Sequence, residues 1–249
     1  MSLAVAIEAA NAIVLAADSR ATFGDPRGMT AVNDTVQKVF TLTPRTAIAM
    51  VGAAEAGASL IERVKPVLAT QAAANADGIS DLFRQLAVQN FSQWFGAPQF
   101  LMGPQGPMPI PRPDVHFLLV GYGANSQARI MGLGSTPPFN FAPNLSTTGF
   151  AAAGIVPLAV YLLNRLYRRG LDVEIAKDLA VYCIQETASQ DGKVGGPISL
   201  AVVRPNVDTA LADAPEIERI VQRVDQHRES LKNSFLNSGQ PPAPQQGQG

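Results

Sequence analysis

Cysteine and histidine are nearly absent from this chain, which has one Cys and two His in 249 residues. The single cysteine, Cys183, excludes an intramolecular disulfide and a zinc site built from several thiolates. Its setting, AVYCIQ, reads as helix and marks it as a core residue, where free thiols are commonly found. His116 lies in the strand-like VHFLLV and His227 on a charged helical stretch. Neither a Ser-His-Asp triad nor a His-rich metal site is therefore expected, and any chemistry has to proceed largely without imidazole. No cofactor and no metal are called for.

Charge is sparse as well. Asp, Glu, Lys and Arg make up 16% of the chain, the net charge is −1, and no block of Lys and Arg occurs. Binding to nucleic acid or an anionic membrane through bulk electrostatics is not expected. The longest apolar stretch, Phe150 to Leu163, falls short of the ~20 residues that span a bilayer. The opening segment lacks a basic n-region and is interrupted by Glu8, so it does not read as a secretory signal. With 47% apolar residues, the expectation is a globular, cytoplasmic protein with a sizeable core. GYGANS at 121–126 is followed by a strand rather than a helix, and GKVGG lacks the remaining P-loop residues, so neither reads as a phosphate loop.

What is present is a regular alternation of strand pairs and helix pairs. Residues 3–8 and 12–17 read as a hairpin, and the unbroken IVLAA predicts a second strand buried on both faces. A loop with Gly24, Pro26 and Gly28 follows, then KVFTLTPRTAIAMVG as a strand pair turning at Thr43-Pro44-Arg45. AAEAGASLIERVKPVLATQAAA predicts a helix kinked by Pro66, and Ile79-Ser80-Asp81 reads as the cap of a second, DLFRQLAVQNFSQWF. Residues 96–113, rich in Pro and Gly, predict an irregular loop. VHFLLVGYG and SQARIMGLG predict two strands, and VPLAVYLLNRLYRRG a helix stopped by Gly170. VEIAKDLAVYCIQETASQ predicts another helix, PISLAVVRP the last strand, and Pro215 opens an amphipathic helix. The order suits an α+β fold, a four-layer αββα sandwich of two stacked sheets with helices on both outer faces. The expected domain spans 2–206, with a helical extension over 207–236 and a low-complexity, disordered tail over 237–249.

IVLAADSRATFG, QKVFTLTPRTAIAMVGAAEAG and ETASQDGKVGGPISLAVV, in this order, resemble the proteasome β-subunits and their bacterial relatives. These are N-terminal-nucleophile hydrolases with the four-layer fold, and the resemblance covers roughly residues 2–206. In that family the mature chain begins at a nucleophilic Thr, and the aspartate of A-x-D-[ST]-R lies sixteen residues downstream. Counting back from Asp18 lands on Ser2, so the resemblance implies removal of Met1 and a Ser2 nucleophile, a variant of a Met-Thr start. It implies further that Lys38 is the active-site lysine, that Asp18 holds it as a buried ion pair, and that Asp191 orients the N-terminal end. Gly52, fourteen residues after Lys38, matches the glycine whose N–H serves the oxyanion.

By the same alignment Ala21, Val36, Phe40, Met50 and Ala54 line the pocket for the residue before the scissile bond, and Thr22 binds substrate backbone. That lining is apolar, so cleavage after hydrophobic residues is expected. Such chemistry needs no histidine, because the α-amine of Ser2, with an ordinary pKa of ~7.7–8.0, can take the hydroxyl proton. The chain departs from the pattern at three places. The loop from Gly24 to Lys38 is a few residues longer, Ala153 aligns with a family serine, and Val194 stands where another serine is found.

Taken singly, Ser2 is compatible with an inert terminus, Asp18 with a turn, Lys38 with a strand-edge charge, and Asp191 with a loop cap. Their joint spacing favours a peptidase acting on peptides or unfolded proteins, working in a homo-oligomeric ring or stacked rings with a possible ATP-dependent unfoldase or activator. A catalytically silent ring subunit and a small-molecule amidohydrolase on the same fold are the alternatives.

Overall fold

The computed structural model describes residues 2–24, 30–70, 75–103, 106–136 and 140–237. Met1, Pro26, Gly28 and the tail from residue 238 onward lie outside them.

The chain begins with β1 (Leu3–Glu8) and β2 (Ile13–Asp18), followed by a small hairpin of β3 (Ala21–Gly24) and β4 (Thr30–Asn33). Then come β5 (Val39–Thr43), β6 (Thr46–Gly52), and the helices α1 (Ala54–Ala69) and α2 (Ala76–Phe95). A second hairpin, β7 (Gln99–Gly103) and β8 (Gly106–Ile110), precedes β9 (Val115–Tyr122), β10 (Ala128–Gly134), β11 (Asn144–Leu145) and β12 (Phe150–Gly154). The chain continues through α3 (Pro157–Leu166), α4 (Val173–Gln190), β13 (Ile198–Arg204), β14 (Val207–Leu211) and α5 (Ala214–Asn237).

Two five-stranded sheets result, in the orders β12-β1-β2-β13-β14 and β11-β10-β9-β6-β5. Three apolar layers hold them. The faces turned toward each other meet through small and branched residues such as Ala4, Ala6, Leu15, Ala17, Ala47, Ala49 and Val120. Leu3, Val5, Val14, Ala16 and Val202 face outward onto α3, α4 and α5, whereas Ile48, Met50, Phe117 and Leu119 face α1 and α2. The αββα sandwich is thus present, and β2 is buried along its whole length because one face meets the opposite sheet and the other meets α4. Cys183 is fully buried on α4, and loss of solvent pushes its thiol up to about 12.

Several local expectations need correction. Residues 99–110 form a hairpin rather than an irregular loop. Pro107 and Pro109 are two residues apart, so their missing N–H groups turn to the same open edge of a two-stranded ribbon, where no ladder bond is lost. The second helix starts at Ala76 and is capped by Asn75, whose side chain accepts from Gly78 N–H at 3.0 Å. Ser80 is a buried residue inside that helix, not its cap. α1 runs through Pro66 and ends at Ala69, about one turn later. α3 stops at Leu166, before Gly170, where Tyr167 turns extended.

The last strand is β14, paired with β13 beyond the expected boundary at 206. α5 then packs on α4 through Ile220 and Val224, with Lys177–Glu216 and Arg223–Asp178 ion pairs of 2.6 Å each across the same contact.

Candidate functional site

The β1–β2 register, Ala4 opposite Ala17, brings the head of β1 to the end of β2. Ser2 and Asp18, sixteen residues apart in sequence, are therefore neighbours in space. The carboxylate of Asp18 has no solvent exposure and gathers four donors. Oδ1 accepts from Leu3 N–H at 3.0 Å and from Lys38 Nζ at 2.8 Å. Oδ2 accepts from Arg20 N–H at 3.2 Å and Gly195 N–H at 3.0 Å. A buried charge needs this density of partners.

Lys38 stands just before β5, 2% exposed, and its ammonium reaches both Asp18 and the carbonyl oxygen of Arg20, the latter at 2.5 Å. Burial lowers the Lys38 pKa from its ordinary value, against the opposing pull of Asp18 and Asp34. Ser2 Oγ, almost fully buried, donates to the same Arg20 carbonyl at 3.4 Å. Hydroxyl and ammonium thus converge on a single backbone oxygen.

That oxygen belongs to a residue that sequence reasoning did not single out. The Arg20 guanidinium is clamped to Asp34, Nε to Oδ1 and Nη2 to Oδ2 at 2.8 Å each, and Nη1 donates to the Gly192 carbonyl at 3.0 Å. The pairing holds the Asp34 carboxyl below the usual carboxylate range. Ser19 Oγ donates to the Asp34 carbonyl at 2.6 Å, closing the loop from the other side. Only the ADSR segment signalled Arg20, and nothing marked Asp34.

Gly52 ends β6 at φ +98°, a left-handed conformation, and a Cβ there would run into the Asp114 carbonyl. It borders two spaces that meet at Ser2. One is a groove of about 420 Å³ with Gly52, His116, Gly134 and Ala153 among its walls. His116 Nε2 lies 3.0 Å from Asp114 Oδ1 there, so an imidazole stands in the groove that the sequence reading had set aside. The other is a cavity of about 10 Å³ between Ser2, Lys38, Met50, Gly52 and Ala54.

Of the expected pocket residues, Met50 and Ala54 border that small cavity. Ala21 and Phe40 are buried at 8% exposure and Val36 is half-buried, with Phe40 and Met50 packed into the layer beneath α1. Thr22, half-buried on β3, has a hydroxyl oxygen that is buried with no hydrogen-bond partner among the described residues. Asp191 ends α4, and its carboxylate accepts from Lys193 N–H at 2.9 Å within its own loop. Its connection to Ser2 runs through Gly195 and Asp18. Val194 is fully buried against α4. The residue across from Ser2 is Ile155, whose N–H donates to the Ser2 carbonyl at 2.9 Å, whereas Ala153 pairs with Ala4.

Among the described residues, no three His, Cys, Asp or Glu side chains group to hold a metal ion. No helix among them is long and apolar enough to cross a membrane.

The proteasome subunit family model matches residues 2–92, the stretch that carries Ser2, Asp18, Arg20, Lys38 and Gly52. No curated protein matches the chain. The chain is therefore similar to proteasome subunits over residues 2–92, and the αββα sandwich is consistent with that similarity.

Proposed function

We propose that this proteasome-like subunit is a peptidase whose nucleophile is Ser2, exposed as an N-terminal residue when Met1 is removed. The observation that carries the reading is the convergence of Ser2 Oγ and Lys38 Nζ on the Arg20 carbonyl, beside the buried Asp18. In the proposed reaction the neutral α-amine of Ser2 takes the Oγ proton as Oγ attacks the carbonyl carbon of the substrate. The Lys38 cation lowers the cost of the developing alkoxide, and Gly52 N–H donates to the oxyanion, a contact typically worth ~3–4 kcal/mol. The C–N bond then breaks, the proton passes to the departing amine, and water hydrolyses the Ser2 ester. Asp18 keeps Lys38 charged and placed. Asp191 acts at one remove, by shaping the loop that delivers Gly195 to Asp18.

A ring of identical subunits in the cytoplasm, with unfolded protein as substrate and an ATP-driven unfoldase as partner, extends this reading by analogy with proteasome subunits. The silent-subunit reading draws support from Ala153 and Val194, apolar residues aligned with family serines that help to hold the α-amine.

Intact mass and a fluorogenic peptide assay separate the two. The peptidase reading expects a chain lacking Met1 and hydrolysis that Ser2→Ala abolishes. Retained Met1, or activity that survives Ser2→Ala, overturns it.

A further inference from the structure

The β7–β8 ribbon pairs with neither large sheet. Its base is closed by Arg112, whose Nη2 donates to the Gly96 carbonyl at 3.1 Å. Four residues carry the chain from Ile110, the end of the ribbon, to Asp114, a reach of at most about 14 Å. Asp114 and His116 border the groove that runs to Ser2, so the ribbon is anchored beside that groove. The register sets Phe100 opposite Pro109 and Met102 opposite Pro107, four apolar residues on one face, with Met108 and Ile110 on the other. Phe100 and Met102 are 58% and 78% exposed. No charged residue occurs from Gln85 to Pro111. The two edges differ. Pro107 and Pro109 strip the outer edge of β8 of donors. Directly across from them, the N–H and C=O groups of Phe100 and Met102 turn outward along β7, where no other strand among the described residues pairs.

We infer that this ribbon is a docking arm for polypeptide substrate. An extended, uncharged segment adds to β7 as a third strand while another part of the same substrate lies in the groove at Ser2. The inference rests on the reading of Ser2 as a peptidase nucleophile. A two-stranded ribbon alone is marginal in water, and a third strand over an apolar face supplies what it lacks. The outward peptide groups of Phe100 and Met102 can bond to any extended backbone, so the order of side chains in the segment matters little. The unbranched side chains of Met102 and Met108 adapt to different neighbours. Neutrality selects the class of segment, because a charged one would lose water here and find no partner. Size selects a peptide over a second copy of this chain. Five residues per strand, at ordinary strand rise and spacing, give a face of about 170 Å². A stable protein interface takes roughly 800 Å² from each partner.

The test uses the full chain with Ser2→Ala, so that nothing is cleaved, and a fluorescein-labelled peptide of about twelve Thr, Val and Gln residues, followed by anisotropy. Binding is expected, and Met102→Pro is expected to weaken it at least about tenfold, the loss that removing one ordinary hydrogen bond brings. That substitution deletes an outward donor where the ribbon itself needs none. Phe100→Glu, which sets a charge on the apolar face, is expected to weaken binding to a similar degree. In the Ser2 protein, both substitutions are expected to raise KM for a long quenched peptide carrying the same segment far more than KM for a blocked tripeptide amide. Peptide affinity unmoved by both substitutions overturns the inference alone. So does a dimer in light scattering that Met102→Pro dissociates while no peptide binds, because the ribbon then meets a second copy. Binding that responds to both substitutions, in a Ser2 protein that hydrolyses no peptide, overturns the Ser2 reading and the substrate role of the arm with it.

Discussion

Lys38 Nζ lies 2.8 Å from Asp18 Oδ1, with both side chains shut off from solvent at 2% and 0% exposure. Removing one member of such a pair strands the other charge. Asp18→Asn is expected to lower stability by about 3–5 kcal/mol, and the double variant Asp18→Asn, Lys38→Met to recover part of that loss. Urea unfolding of the four proteins gives the coupling. A double variant less stable than Asp18→Asn alone contradicts the account.

The lowered Lys38 pKa has a definite sign for stability. Below its ordinary value of 10.5 the unfolded chain holds the proton more firmly than the folded one. Between the depressed folded value and 10.5, the unfolded state therefore binds more protons, and the Lys38 contribution to stability rises with pH. The difference in unfolding free energy between wild type and Lys38→Met is expected to shift in favour of the wild type as pH increases through that alkaline window. A shift the other way would show that Asp18 outweighs burial. Activity is expected to fall in the same window, because the neutral amine no longer supports the alkoxide.

Arg20 and Asp34 act on the site through backbone. Their ion pair fixes the carbonyl to which Ser2 and Lys38 both donate, so they are positioning residues. Arg20→Met is expected to lower kcat by roughly 10- to 100-fold with KM little changed, the size of effect that small misplacements of reacting groups produce. Arg20→Lys is expected to rescue poorly, since an ammonium cannot reproduce the two-pronged contact. A matching fall in kcat/KM caused by raised KM alone would assign Arg20 to substrate binding instead.

Gly52→Ala sets a side chain against the Asp114 carbonyl at a positive φ. A loss of at least about 1–3 kcal/mol is expected, together with loss of activity as the N–H swings away. Thermal unfolding and peptide hydrolysis check both. A fully active Gly52→Ala protein would remove this N–H from the mechanism.

Much of this arrangement could be read from the sequence because it is carried by regular strands. A spacing of sixteen residues across a tight hairpin has one register that buries both apolar faces, so Ser2 and Asp18 must meet. IVLAA declared the central strand by lacking a polar face. Arg20 was harder to see because its backbone oxygen does the work, and any residue type carries one. Ile155 gave no signal for a related reason: its backbone N–H, not its side chain, meets the Ser2 carbonyl. The prolines of 107–109 disguised a strand pair whose open edge tolerates them.

The central claim is that Ser2 Oγ forms the covalent intermediate. The most direct measurement is rapid acid quenching of the full chain, lacking Met1, with a blocked Ala p-nitrophenyl ester, followed by peptide mass analysis. The account predicts one acyl group per chain on the peptide that begins at Ser2, and none on Ser2→Ala. An acyl group on any other residue, or equal labelling of Ser2→Ala, would contradict it.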